Sequence, residues 1–247
     1  MQRFFDILIS GAAIAVLSPF LVPLVLVLRL TGEGEIFFTQ QRIGRTARPF
    51  SLYKFATMLK ASPSLGTGTV TVKDDPRILP VGRFLRATKI NELPQIINVL
   101  KGDMSVIGPR PQERRCFDAF PAEAREAIVQ VRPGLSGVGS ILFRNEQEMM
   151  DGERDPDRVY DEIIMPYKAR LEEWYVENRS LALYFQLIFL TVWAVLFARS
   201  ALPGKMLRGL PEPDRETARV LEKGRPTAGS GRADARPGNK PSQGVEN

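Results

Sequence analysis

Histidine is absent from the 247 residues, and cysteine occurs once, at Cys116. The first absence excludes a Ser-His-Asp triad, a papain-like Cys-His pair, a histidine zinc site and an imidazole general base. Acid–base work is left to carboxylates, lysines or tyrosines. The second excludes an intramolecular disulfide and a thiolate zinc cluster and fits a reducing compartment, with Cys116 read as a small packing residue. Basic runs interleaved with aromatics are also missing. The formal charge of +6 arises from 34 Lys and Arg set among 28 Asp and Glu, so nucleic acid is not expected, whereas anionic lipid headgroups and phosphorylated substrates suit the charge. There is no internal repeat, and 44% hydrophobic residues suffice for one ordinary domain with attachments.

What the chain does have is an uncharged run from Ile7 to Leu28. About 22 residues at about 1.5 Å each just cross a hydrocarbon core of about 30 Å. A cleaved signal peptide fits poorly, because the run is long, Asp6 spoils a basic start and no small-x-small site precedes polar sequence. Ser18-Pro19 interrupts the run at its middle and Pro23 follows a turn later, so a bend is expected where a straight span would be deepest. Arg3 precedes the run, and Arg29, Arg42 and Arg45 follow it. Positive residues on both flanks suit a hairpin that enters and leaves by the cytoplasmic face, so residues 1–30 are expected to form a re-entrant membrane helix. A second apolar run, Leu181 to Ala198, contains Tyr184 and Trp193 and is marginal in length for spanning. An interfacial helix is expected there, with a span or a core helix as alternatives. Residues 201–247 are rich in proline, glycine, arginine and small polar residues and read as a disordered tail.

Between these ends, Glu35–Arg42 and Pro49–Phe55 read as two aromatic-rich strands joined by a turn containing Gly44. Residues 61–75 form a loop long enough to move over a site, and Val81 to Ala87 reads as a short helix. Asn91 is a good N-cap for a helix that places Glu92 in its first turn and Leu93, Ile96, Ile97 and Leu100 on one face. Ala122 to Val131 and Asp157 to Asn178 also read as helices. The expected class is α+β, mainly helical: a small β-hairpin and a helical cytoplasmic domain, residues 31–200, carrying the interfacial helix 181–198.

The segment from residue 75 to 111 packs charges, glycines and prolines at close intervals: Asp75-Pro76-Arg77, Gly82-Arg83-Phe84-Leu85-Arg86, Asn91-Glu92-Leu93-Pro94-Gln95, Gly102-Asp103-Met104-Ser105 and Gly108-Pro109-Arg110-Pro111. Arginines around a carboxylate at a helix start, closed by an arginine–proline turn, make a pocket for phosphate groups and a metal ion. Each piece also has an ordinary structural reading. Asn91-Glu92-Leu93-Pro94 can be a capped helix start with Glu92 on the positive end of the dipole. Arg83 and Arg86 can pair with Asp74 and Asp75, and Gly108–Pro111 can be a rigid turn with Asp103 as its partner.

In this order the segments resemble the bacterial sugar transferases, the monotopic polyprenyl-phosphate phosphoglycosyl transferases. The resemblance spans roughly residues 1 to 198. Its further marks are Gln41-Arg42-Ile43-Gly44, Tyr53-Lys54-Phe55 with Thr57-Met58, Asn98 through Ser105, and Arg132-Pro133-Gly134-Leu135-Ser136-Gly137. It implies transfer of a phospho-sugar from a UDP-sugar to a polyprenyl phosphate, usually undecaprenyl phosphate, with release of UMP as the first membrane step of polysaccharide or glycan assembly. It implies Mg2+ as cofactor and a place on the bacterial inner membrane with the domain on the cytoplasmic face; a homodimer is left open. Lys54, Arg83, Arg86, Asp103 and Arg110 are the expected phosphate and substrate residues, Glu92 and Asn91 the catalytic pair, and Glu92 the metal ligand.

The family's catalytic dyad is Asp-Glu, with the aspartate as nucleophile, and here it reads Asn91-Glu92. An amide oxygen is neutral and poorly nucleophilic, so a covalent two-step mechanism does not carry over. Three readings follow. Glu92 binds magnesium while the lipid phosphate attacks directly and Asn91 donates a hydrogen bond; or another carboxylate, Asp103 or Glu92 itself, is the nucleophile; or the protein is a non-catalytic membrane-anchored binding or scaffold relative. Ala56, Glu35 and Ser140 also depart from the residues frequent in the family, arginine, proline and glutamine respectively.

Overall fold

The computed structural model describes residues 1–62, 75–144, 146–150, 158–197 and 200–223. The chain opens with one helix, α1 (Gln2–Leu30), that runs through both Pro19 and Pro23. Pro19 has no N–H to give the Ala15 carbonyl, and the Ser18 hydroxyl donates to that oxygen instead, at 3.0 Å. The helix is long and apolar enough to cross a membrane, and only a small share of its apolar stretch is buried. Both of its ends are seated on the domain. Near the start, Arg3 donates to the carbonyls of Val99 and Leu100, Gln2 donates to Ser105 Oγ and the Ile107 carbonyl, and Asp6 is buried. Near the finish, Leu28 packs with Phe55 and Leu85. Between these footholds Val16, Phe20 and Val22 stay exposed.

The expected hairpin is present. Strands β1 (Phe37–Ile43) and β2 (Pro49–Phe55) pair antiparallel, with Phe38 opposite Lys54 and Arg42 opposite Phe50. In the connecting turn the left-handed conformations fall on Thr46 and Ala47 (φ 59° and 57°) and not on Gly44. Helix α2 (Pro80–Ala87) covers the expected Val81–Ala87, and Gly82 lets it press on the hairpin's exit, since a Cβ there would lie 2.2 Å from the Thr57 carbonyl oxygen. Asp75 and Arg77 form a buried bidentate pair, and Arg77 also donates to the Ser62 carbonyl at 2.7 Å. Most of the expected 61–75 loop lies outside the described residues.

The helix expected to begin at Asn91 begins later. Lys89 takes a left-handed conformation, Ile90–Glu92 form a 3-10 turn, and α3 (Gln95–Lys101) starts after Pro94. Glu92 and Leu93 give their N–H groups to the carbonyls of Lys89 and Ile90, so the chain arrives already coiled and needs no side-chain cap. The expected face is shifted too: Gln95, Ile96, Asn98 and Val99 are buried and Ile97 is exposed. Asn98 is buried because its side chain bridges two elements, accepting from the Tyr53 N–H and donating to the Ser51 carbonyl.

Strands β3 (Ser105–Ile107) and β4 (Gly134–Ser136) form a short parallel pair that the sequence did not announce. Glycine makes it possible, because a Cβ on Gly134 would lie 2.1 Å from the Gly108 nitrogen and one on Gly108 2.5 Å from the Arg132 carbonyl oxygen. Helices α4 (Arg114–Asp118) and α5 (Ala122–Ile128) lie between these strands, and α6 (Val138–Leu142) and α7 (Glu146–Met150) follow. A π-helical turn, Val159–Ile164, then leads into α8 (Met165–Asn178). The second apolar run is α9 (Leu181–Leu196), buried along Leu183, Tyr184, Leu187 and Leu190 and exposed along Phe185, Phe189, Val192 and Val195. It is core on one side, as one of the alternatives had it, and open on the other.

The expected disordered tail does not begin at residue 201. Helices α10 (Leu202–Met206) and α11 (Arg215–Lys223) return to the core, where Leu207 and Val220 join the cluster of Ile164, Leu171 and Leu187. The local signal is Asp214, whose carboxylate accepts from the N–H of Thr217 as an N-cap. Residues 224–247 lie outside the described residues.

Three donors converge on Asp6 Oδ1: Ser105 Oγ at 2.8 Å, the Val106 N–H at 3.0 Å and the Tyr184 hydroxyl at 2.9 Å. Asp6→Ala strands these buried groups and is expected to cost about 2–4 kcal/mol, whereas Asp6→Asn keeps an acceptor and costs less. Thermal unfolding of both variants in nanodiscs checks the order.

Candidate active site

Four elements bring charge together. Lys54 lies near the end of β2, Arg86 on the last turn of α2, Glu92 on the 3-10 turn and Arg110 on the turn after β3. Arg110 reaches Glu92 Oε1 at 3.3 Å. Burial alone would push the Glu92 carboxyl up, but Arg110, Lys54 and Lys89 hold it below its ordinary value, so it is ionised. Lys54 is the converse case. Burial, with Arg110, Arg42 and Arg86 nearby, outweighs Glu92 and brings its ammonium down to about 8. Arg86 also approaches Thr57 Oγ1, at 3.5 Å. Among the described residues, Glu92 gathers Lys54, Arg86 and Arg110 around it, a set of cations suited to an anion with more than one charge.

The same residues border the apolar helix. Phe55 follows Lys54, Leu85 precedes Arg86, and Ile90 and Leu93 flank Asn91-Glu92; all four pack in the cluster that holds Leu28, Leu24 and Leu21 of α1. The charged cluster therefore opens beside the foot of α1.

Asn91 is in place beside Glu92, and its Oδ1 is buried with no hydrogen-bond partner among the described residues. The bulky Lys89 at φ 62° enters this turn, a backbone cost on the order of 1 kcal/mol of the kind that gathers at functional sites. Two expected residues fall outside the cluster. Arg83 is exposed on α2. Asp103 sits past the far end of α3, where it accepts from Asn98 Nδ2 at 3.3 Å and faces Lys101 at 3.8 Å. The seven residues of α3 put about 10 Å of helix between its start and finish. Asp103 is thus misplaced to serve as nucleophile at Glu92; its proximity in sequence was along a helix axis.

Other charged residues near the site went unassigned in the sequence. Arg42, within Gln41-Arg42-Ile43-Gly44, pairs with Glu113 at 3.0 Å and donates to Gln40 Oε1 at 2.7 Å. On α8, Lys168 pairs with Glu146 and lies over the rings of Phe143 and Tyr160, and Glu172 is fully buried. The available signal was phase: Lys168 and Glu172 fall on the apolar face of α8 with Leu171 and Tyr175, where a charged residue needs a partner.

Among the described residues no three histidine, cysteine or acidic side chains gather. A divalent cation that takes one or two protein oxygens and completes its shell with phosphate and water asks for less. The Glu92 carboxylate beside the unpartnered Asn91 oxygen fits that demand.

Residues 1–198 match the family described as bacterial sugar transferase. The chain is 33% identical over 198 residues to UDP-N-acetylgalactosamine-undecaprenyl-phosphate N-acetylgalactosaminephosphotransferase of Aeromonas hydrophila, covering 79% of this chain and 44% of that protein. It is 33% identical over 205 residues to undecaprenyl-phosphate glucose phosphotransferase of Komagataeibacter xylinus, covering 81% of this chain and 36% of that protein. It is 34% identical over 198 residues to the uncharacterized sugar transferase EpsL of Bacillus subtilis, covering 79% of this chain and 87% of that one. The chain thus spans less than half the length of the first two relatives and most of the third.

The depressed Lys54 gives a pH-dependent outcome. Its ordinary value is 10.5 and its folded value about 8, so between these the unfolded chain binds the extra proton and stability climbs as pH rises, while below about 8 the buried charge costs stability. Lys54→Met is expected to stabilise the protein at neutral pH on the order of 1–2 kcal/mol, a gain that fades toward pH of about 10. Inorganic pyrophosphate should bind the variant about tenfold more weakly. Melting curves across pH and calorimetric titration check the two halves.

Proposed function

The chain belongs to the bacterial sugar transferase family, and from that premise we propose that it transfers a phospho-sugar from a UDP-sugar to a polyprenyl phosphate such as undecaprenyl phosphate, releasing UMP. The observation that carries this reading is the adjacency of Glu92, Lys54, Arg86 and Arg110 to the foot of α1. A phosphate on a long lipid and a soluble diphosphate donor must meet where charge neutralisation and an apolar surface touch.

In the reaction, an oxygen of the lipid phosphate forms a bond to the sugar-bearing phosphorus of the donor. The bond from that phosphorus to the bridging oxygen breaks, and its electron pair leaves on UMP. Phosphoryl transfer depends chiefly on positioning and on neutralising the oxygens. Arg110, Arg86 and Lys54 supply fixed positive charge for this. Asn91 cannot carry a covalent phospho-sugar, so direct displacement is the route this chain favours, with the amide aligning a phosphoryl oxygen. Glu92 and the Asn91 oxygen would hold a magnesium ion, whose chemistry when bound is to neutralise the donor diphosphate. The second reading, a binding or scaffold relative in a polysaccharide assembly complex, is favoured by the same asparagine.

The seating follows from α1 and α9. Both ends of α1 rest on one domain, which supports a helix that enters and leaves by the same membrane face. The open side of α9, with Phe185, Phe189, Val192 and Val195 exposed, suits the interface of a bacterial inner membrane, with the domain on its cytoplasmic side.

The test is UMP release by nanodisc-held protein given undecaprenyl phosphate and a panel of UDP-sugars. Wild type is expected to turn over only with both substrates and Mg2+, and Glu92→Ala to lose about a hundredfold or more. Activity that appears only in Asn91→Asp would sink the transferase reading in favour of the binding relative.

A further inference from the structure

Behind Arg110 lies a buried acid that the proposed reaction leaves unused. Glu172 on α8 is 3% exposed. Its Oε1 accepts the backbone N–H of Arg110 at 3.4 Å, and its Oε2 is buried with no hydrogen-bond partner among the described residues. Gly139 makes room for it, since a Cβ there would stand 2.6 Å from Oε1. Gly137 lets α6 close on the same turn, since its Cβ would stand 2.2 Å from the Gly108 carbonyl oxygen. Pro109 and Pro111 have no N–H, so the Arg110 N–H is the one backbone donor between Gly108 and Gln112. Glu172 takes it.

We propose that Glu172 is a positioning residue for Arg110: it holds by its backbone the turn whose guanidinium meets Glu92, and so sets how tightly the site grips a nucleotide phosphate. The inference rests on the function proposed above. Neighbouring contacts fix the rest of the turn, the Gly134 N–H bonding the Pro109 carbonyl at 2.8 Å and the Ile43 N–H the Gln112 carbonyl at 2.9 Å. Without Glu172, the residue carrying the working side chain loses the partner of its backbone N–H.

The grip also responds to protons. The charged groups facing the carboxyl are Arg110 from the turn and Lys168 from the preceding turn of α8; Tyr175 lies within electrostatic reach one turn on, and Glu146 of α7 pairs with Lys168. Burial outweighs Arg110 and Lys168 and pushes Glu172 up to about 7, so near neutral pH its acceptor strength changes with protonation.

The experiment measures amide exchange at Arg110 and calorimetric UMP affinity from about pH 6 to about 9 in nanodisc-held full-length protein. Glu172→Ala is expected to lose about tenfold in Arg110 protection and about tenfold in affinity, and Glu172→Gln to stay within about threefold in both. Wild type shows a step in affinity near pH 7 that the Gln variant lacks. Unchanged protection in Glu172→Ala overturns the proposal. So does lost protection with unaltered affinity and an unaltered pH step, which would mark a merely structural contact. If wild type binds no UMP, the proposed function is what fails, and the exchange data alone decide the role of Glu172.

Discussion

One buried carboxylate fixes how the apolar helix meets the rest of the molecule. Asp6 receives a hydroxyl from β3, an N–H from the same strand and the phenol of Tyr184 on α9. A carboxylate this deep is unfavourable by itself and is sustained only when its donors are already in place. It therefore specifies an orientation: α1 fits with residue 6 against β3 and α9, and in that pose Leu28 meets Phe55 and Leu85. The site inherits its place from this. Glu92, Lys54 and Arg86 are flanked by residues that pack on the far end of α1, and Arg110 follows the strand that Asp6 holds.

The second constraint is backbone against backbone. Gly108, Gly134 and Gly137 approach one another so closely that no side chain fits between their segments. The two proline-containing turns, Gly108–Pro111 and Arg132–Gly134, stack into a stiff seat with few N–H groups of its own. Stiffness there matters because the Arg110–Glu92 contact ties this seat to the 3-10 turn that carries Glu92. The site is thus a few long side chains held by short, over-determined backbone.

Much of the fold was legible because its signals are local. Two aromatic-rich segments joined by a turn with Gly44 marked the hairpin, and a long uncharged run marked α1. Helical spacing marked α8, a second apolar run marked α9, and α2 and α5 also read as helices. The start of α3 was misread because Asn91 has the chemistry of a cap, while the hydrogen bonds that replace it, to the carbonyls of Lys89 and Ile90, depend on a left-handed Lys89 that no propensity favours. The parallel β3–β4 pair depends on contact between segments about thirty residues apart, and α10 and α11 depend on a core that accepts Leu207 and Val220. Of the residues singled out from charge and motif order, Lys54, Arg86, Glu92 and Arg110 lie in one cluster, with Asn91 next to Glu92 in the chain. Arg83 and Asp103 were drawn in by sequence proximity that helical geometry then separated, and Glu172 was hidden by lying 62 residues from the Arg110 it serves.

The 178 residues between Asp6 and Tyr184 have a meaning in time. At about 5–20 residues per second of synthesis, the helix leaves the ribosome about 9–36 s before its last hydrogen-bond partner exists. Ser105 and Val106 follow Asp6 by 99 and 100 residues and Tyr184 follows it by 178, so for much of that interval the carboxylate has two of its three donors at most. The seat of α1 is therefore completed from the far end of the chain, when α9 brings the Tyr184 hydroxyl to a carboxylate made long before.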